Sequence, residues 1–82
     1  MMTNGKPYIL VVEDDAPVRN LITTTLESQN YKYMAAANGN QAVMSAASGS
    51  PDIILMDLGL PDMDGVDVIK KISTLCDAPI IV

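Results

Sequence analysis

The sequence contains no tryptophan and no phenylalanine, and three tyrosines are its whole aromatic content. Bulk for a core must come from Ile, Leu, Val, Met and Ala, which supply most of the 49 % apolar fraction. A single cysteine, Cys76, excludes an intrachain disulfide framework and the stapled mini-proteins of oxidising compartments, so a reducing cytoplasm is the expected setting. Basic residues are scarce: five Lys and Arg against ten Asp and Glu leave a formal charge of −5. That balance argues against direct nucleic-acid contact by this segment through counterion release. Long hydrophobic runs are missing too. The longest are about five residues against the roughly 20 that span a bilayer, and no signal-peptide apolar region opens the chain, so no membrane association is expected.

What is present is globular in character, with 18 % charged residues, and 82 residues make at most one small domain. A chain this short buries only about 60 to 65 % of the surface that its unfolded form exposes. Residues 1–6 are expected to be a loose start and residues 7–82 the domain. Tyr8-Ile9-Leu10-Val11-Val12 is an apolar run without alternation, which suits a strand buried on both faces of a parallel sheet. Pro17 then sits in a first helical turn, and Val18, Leu21, Ile22 and Leu26 recur at helical spacing, predicting a helix over 16–29 with Asn30 as its cap. A short strand over 31–36 follows. The turn Asn38-Gly39-Asn40 leads into an Ala-rich helix whose narrow face is Ala42, Val43, Ala46 and Ala47, closed by Gly49-Ser50-Pro51.

Ile53-Ile54-Leu55-Met56 is a second two-sided strand, ending on Asp57 as the first ends on Glu13 and Asp14. After a loop rich in Gly, Pro and Asp, residues Val68, Ile69, Ile72 and Leu75 line a third helix, and Ile80-Ile81-Val82 begins a fourth strand. Strands about 22 to 26 residues apart with helical patterns between them are consecutive βαβ units, so the fold class is α/β with a doubly wound parallel sheet. Met34, Met44, Met56 and Met63 read as gap-fillers of the core. Arg19, Lys70 and Lys71 read as solvated helix positions, and Cys76 as inert and partly buried.

In open α/β sheets a ligand sits outside the carboxyl ends of the strands, where strand order reverses. Glu13, Asp14 and Asp57 fall there, and neighbouring strands would bring them within a few ångströms. Like charges gathered in this way raise a pKa or recruit a cation, and an all-oxygen set suits a hard divalent ion such as Mg²⁺. An Asp beside such an ion is also a nucleophile toward phosphorus. The plainer use of an Asp is to cap a helix: Asp14 or Asp15 for the first, Asp62 or Asp64 for the third.

These residues resemble the receiver domain of two-component response regulators. The resemblance rests on Ile9-Leu10-Val11-Val12-Glu13-Asp14-Asp15, on Asp52-Ile53-Ile54-Leu55-Met56-Asp57 and on Leu58-Gly59-Leu60-Pro61-Asp62-Met63-Asp64-Gly65, and runs from about Pro7 to Val82. It implies a flavodoxin-like sheet of strand order 2-1-3-4, with the final helix-strand-helix beyond Val82 and not included. It further implies that Asp57 is the phosphoacceptor, Asp14 a direct Mg²⁺ ligand, Glu13 an acidic-pocket residue acting mainly through water, and the backbone carbonyl of Gly59 the remaining protein ligand. Pro61 and Gly65 shape the loop. The implied partner is a sensor histidine kinase and the implied output a transcription-controlling DNA-binding domain outside these residues, so the segment is a signalling switch and not an enzyme. The Leu-Gly-Leu-Pro-Asp loop is similar to that of winged-helix-class regulators, especially those of the Kdp potassium-transport operon.

Two site residues of the family, a Ser or Thr after the fourth strand and a Lys at the end of the fifth, have no counterpart here. Lys6, Lys32, Lys70 and Lys71 do not substitute for that Lys. The 82 residues alone are therefore expected to bind Mg²⁺ but to accept a phosphoryl group poorly, and their unpartnered fourth strand to favour a homodimer or segment exchange. Rival readings are a metal-dependent phosphatase, which would carry a second Asp where Gly59 stands, and a flavodoxin-like cofactor-binding fragment, which would want a Gly-rich or Ser/Thr-rich loop where Glu13-Asp14-Asp15 repels phosphate. A calcium loop on Asp62-Met63-Asp64-Gly65 fails, because Leu60 and Lys71 would occupy ligand positions that need carboxylates.

Overall fold

The computed structural model describes residues 6–82; the expected loose start, apart from Lys6, lies outside them. Strand β1 (Tyr8–Val12) is followed by α1 (Ala16–Ser28), β2 (Lys32–Ala36), α2 (Gly39–Gly49), β3 (Ile53–Met56), α3 (Gly65–Leu75) and β4 (Ile80–Ile81). The sheet is parallel throughout, in the order β2-β1-β3-β4. The expected α/β class and strand order are therefore found.

The layering follows from handedness. A right-handed crossover places its helix on one face when the chain steps in one direction along the sheet and on the opposite face when it steps back. The step from β1 to β2 runs one way, and the steps from β2 to β3 and β3 to β4 run the other. Thus α2 and α3 share a face and pack on each other, while α1 lies against β1 and β2 alone on the reverse side. Alternate residues of the two central strands, Leu10, Val12, Ile54 and Met56, meet Val68 and Ile72 of α3 and Ala42 and Ala46 of α2 to form the core. The small alanines let α2 lie close to the sheet.

Helix ends explain why these segments stop where they do. Asp15 caps α1 by accepting from the Val18 N–H at 3.0 Å, Asn38 caps α2 by accepting from Gln41, and Asp64 caps α3 by accepting from Val66. At the far end of α1, Asn30 adopts φ 63°, and the N–H groups of Asn30 and Tyr31 return to the carbonyls of Glu27 and Leu26. This is a Schellman closure, with Asn in the left-handed position that the sequence suggests. The left-handed residue ending α2 is Ser50, at φ 48°, rather than its glycine neighbour. Gly49 is small for another reason, since a Cβ there would meet the thioether end of Met34. Lys6 lies over the Tyr31 ring, 5.0 Å from its centroid, and donates to the Gln29 carbonyl.

Several expected positions differ. The face of α1 turned to the sheet is Arg19, Ile22, Thr23 and Leu26, whereas Val18 and Leu21 are 42 % and 68 % exposed. The apolar pattern is wide enough to fit two neighbouring faces, and buried Thr23 occupies the position that sets the rotation. Ala47, Met44 and Leu75 are exposed as well, because the inward sides of α2 and α3 are Gly39, Ala42 and Ala46 and Gly65, Val68 and Ile72. Cys76 is half-buried as expected. Asp62 does not cap α3; its two carboxylate oxygens accept from the N–H groups of Gly39 and Asn40, at 2.7 and 3.0 Å, at the start of α2. Those hydrogen bonds hold its carboxyl below the usual aspartate range.

Three substitutions test these contacts. A Cβ at Gly65 would lie 2.8 Å from the Leu58 backbone, so Gly65→Ala should destabilise the fold by about 1–3 kcal/mol, read as a lowered unfolding midpoint. Gly49→Ala should cost less, because Met34 is free to move. Asp62→Ala should lower the thermal midpoint at neutral pH. A carboxyl whose pKa is depressed by folding contributes stability above its unfolded pKa and loses it as pH falls through the folded one. The gap between wild type and Asp62→Ala should therefore narrow in melting curves taken at progressively more acid pH, below the ordinary aspartate range.

Candidate functional site

The reversal of strand order lies between β1 and β3, and their register, Val12 opposite Met56, sets the next residues, Glu13 and Asp57, side by side. Backbone bonds prolong the ladder past the strands: Glu13 N–H donates to Ala36 at 3.0 Å and Asp57 N–H to Val12 at 2.9 Å. Both residues therefore leave the sheet with fixed direction. Each of Glu13, Asp14 and Asp57 offers a carboxylate oxygen within 4.8 Å of the other two. Glu13 and Asp57 are half-buried and Asp14 is exposed.

Local bonds fasten each part of this cluster. The Gly59 N–H donates to Asp57 Oδ1 at 3.0 Å, so the loop after β3 curls over the carboxylate. The Asp15 N–H donates to Glu13 Oε2 at 3.2 Å while the Asp15 side chain caps α1, which ties the β1–α1 loop to the acidic pocket. Arg19 is not the solvated helix residue expected from the sequence. Its guanidinium reaches back along α1 and donates to the Glu13 carbonyl at 2.9 Å, with a longer approach to Asp14 O at 3.5 Å.

The carboxylates have diverged electrostatically. The hydrogen bond from Gly59 holds Asp57 below the usual aspartate range, which leaves it ionised at neutral pH. Burial pushes Glu13 up, and the neighbouring Asp57 and Asp14 carboxylates push it further. The cluster is charge-rich and has no basic side chain among its ligand atoms. Its donor chemistry fits a hard cation: the oxygens are all carboxylate, and their 4.8 Å spread is close to the roughly 4.2 Å between opposite corners of a Mg²⁺ octahedron with bonds of about 2.1 Å.

Of the residues singled out from sequence, Glu13, Asp14 and Asp57 come together, with Gly59 bonded to Asp57 through its N–H. Asp15 and Asp64 are helix caps. Sequence reasoning missed two participants. Arg19 carried one signal, a cation near a helix N-terminus against the preference of the helix dipole. Asp62 carried none, since its partners lie 22 and 23 residues earlier in the chain. Among the described residues no helix is long and apolar enough to cross a membrane.

Comparison with known proteins agrees with this geometry. Residues 9–82 match the response regulator receiver domain. The chain is 39 % identical over 81 residues to the transcriptional regulatory protein ResD of Bacillus subtilis, covering 99 % of this chain and 34 % of that protein. It is 42 % identical over 74 residues to KdpE of Staphylococcus aureus, covering 90 % of this chain and 32 % of that one. The chain thus spans about a third of the curated relatives it matches. Among solved structures, the receiver domain of a Pseudomonas aeruginosa sensor histidine kinase, with a magnesium ion coordinated in its active-site cleft, superposes with a TM-score of 0.79. The identity is 37 %, over 85 % of this chain and 57 % of that one. A four-stranded parallel sheet, an acidic cluster at its switch point and these matches agree on one assignment: the chain belongs to the response regulator receiver-domain family of two-component signalling.

Proposed function

We propose that Asp57 accepts a phosphoryl group from a sensor histidine kinase in a Mg²⁺-dependent reaction, as the signal input of a longer cytoplasmic regulator that controls transcription. The observation that carries this reading is Asp57 itself, held ionised at the end of β3 within 4.8 Å of the Glu13 and Asp14 carboxylates. A carboxylate oxygen of Asp57 attacks phosphorus on the kinase phosphohistidine. The P–O bond forms as the P–N bond breaks, and the bonding pair stays on the imidazole nitrogen, which takes up a proton from solvent. Asp14, Asp57, the Gly59 carbonyl and, through water, Glu13 would hold the ion, which supplies positive charge against the phosphoryl oxygens. Gly59 N–H fixes the Asp57 rotamer through Oδ1. The phosphatase reading lacks a general acid, because the position two residues past the nucleophile is Gly59.

Transcription as the output is supported by the names of ResD and KdpE as transcriptional regulatory proteins. The added charge at the strand end would be read by a bistable surface elsewhere in the longer protein. Self-association of the 82-residue form is a further part of the reading. The outer edge of β4 pairs with no described strand, and Ile81 in it and Val82 after it are 54 % and 72 % exposed.

Intact-mass measurement after incubation with a small-molecule phosphodonor tests the central step. The full-length protein should gain one phosphoryl group with Mg²⁺ present and none without it, and Asp57→Asn should gain none; a phosphorylated Asp57→Asn protein would overturn the assignment. For the 82-residue form, Mg²⁺ should raise the unfolding midpoint, by about 2.7 kcal/mol of stability at a hundredfold excess over its dissociation constant, and Asp14→Asn should abolish the rise. In analytical ultracentrifugation that form should sediment as a dimer or larger and shift to monomer with Ile81→Lys.

A further inference from the structure

We infer that Arg19 is a positioning residue of the acidic site: its guanidinium grips the carbonyl at the end of β1 and so sets the aim of the Glu13 and Asp14 side chains. The inference rests on the metal-binding reading of the cluster.

Glu13 and Asp14 stand where regular pairing ends. The Glu13 N–H is still held by Ala36, but its carbonyl lies beyond the β1–β2 and β1–β3 registers, which stop at Val12. A backbone carbonyl in a half-buried place needs a donor. Arg19 provides it at 2.9 Å in a part-buried contact, with the Asp14 carbonyl at the rim of its reach. The peptide plane between Glu13 and Asp14 contains this carbonyl, so fixing the oxygen fixes the rotation of the plane from which the Asp14 Cα departs. Asp15 completes the clamp from the other side, through its N–H on Glu13 Oε2 and its side chain on Val18. Arg19 and Asp15 are joined in turn by the first backbone bond of α1, Arg19 N–H to Asp15 O at 2.8 Å. The two acidic residues are thus enclosed by one short closed circuit of hydrogen bonds anchored in a helix. Without it, three carboxylates in mutual repulsion would relax by turning this peptide.

The positioning role and a mere charge effect have opposite signs. A cation beside the cluster, acting only through its charge, repels Mg²⁺, and its removal would tighten metal binding. A residue that orients the ligands is needed for binding, and its removal weakens it. Titration of the full-length protein with Mg²⁺, well below its unfolding midpoint, separates them. Arg19→Gln should raise the dissociation constant about tenfold, the lower end of what loss of an outer partner costs a metal site. Arg19→Lys, which keeps the charge and one donor in place of the planar fork, should fall between the two. Ile72→Val, a core substitution that lowers stability without touching the site, should leave the constant unchanged. Unchanged or tighter binding by Arg19→Gln overturns the inference, as does Arg19→Lys binding as tightly as wild type, which serves as the deciding variant if Arg19→Gln does not fold. Absence of Mg²⁺ binding by the wild type would instead overturn the metal reading of the cluster.

Discussion

The parallel register of β1 against β3 is the constraint on which the rest of the site depends. Two strands that run the same way and pair Val12 with Met56 deliver Glu13 and Asp57 to the same edge, and no side-chain interaction at that edge would gather three carboxylates unaided. The energy that holds them together is spent far from them. It comes from burying Leu10, Val12, Ile54 and Met56 against α2 and α3, where each large aliphatic side chain contributes about 1.5–3 kcal/mol. The site is stable because its repulsion acts on a sheet already committed by its core.

That division of labour explains the electrostatics. Within one cluster the same surroundings move two carboxyls in opposite directions. Asp57 receives an N–H from the loop that follows it and stays ionised, while Glu13, more affected by burial and by its acidic neighbours, is raised. Each accepts a backbone N–H from the residue two positions on, but for Asp57 the Gly59 bond outweighs burial, whereas for Glu13 burial outweighs the bond from Asp15. Hence Asp57 is the better anion of the two.

How much of this was legible follows from the range of each interaction. Strand runs, helix starts and caps depend on residues within a few positions of each other, so Asn30 could be placed from its neighbours, and the caps of α1 and α3 were narrowed to Asp14 or Asp15 and to Asp62 or Asp64. The strand-end acids were legible because two apolar runs end on them, while the strand order that makes those ends meet came from the family resemblance. The rotation of α1 was not: Val18, Leu21, Ile22 and Leu26 describe a broad stripe, and a threonine, Thr23, lies at the centre of the buried side. Polarity misleads when a hydroxyl is satisfied within its own helix, as Thr23 is by the Asn20 carbonyl. Arg19 and Asp62 were misread for a related reason. Each bonds to backbone, and a backbone partner has no residue-type signature.

The Asp62 carboxylate joins the loop that begins just past Asp57 to the first amides of α2, which the chain laid down more than 20 residues earlier. The loop and the helix are thereby parts of one mechanical unit, although a full strand separates them in sequence. A loop displaced by new charge on its neighbour would have to release the Gly39 and Asn40 amides or draw α2 along with it. Those two protons are natural reporters of events at the sheet edge, exchanging with solvent on the clock of the loop rather than that of the helix.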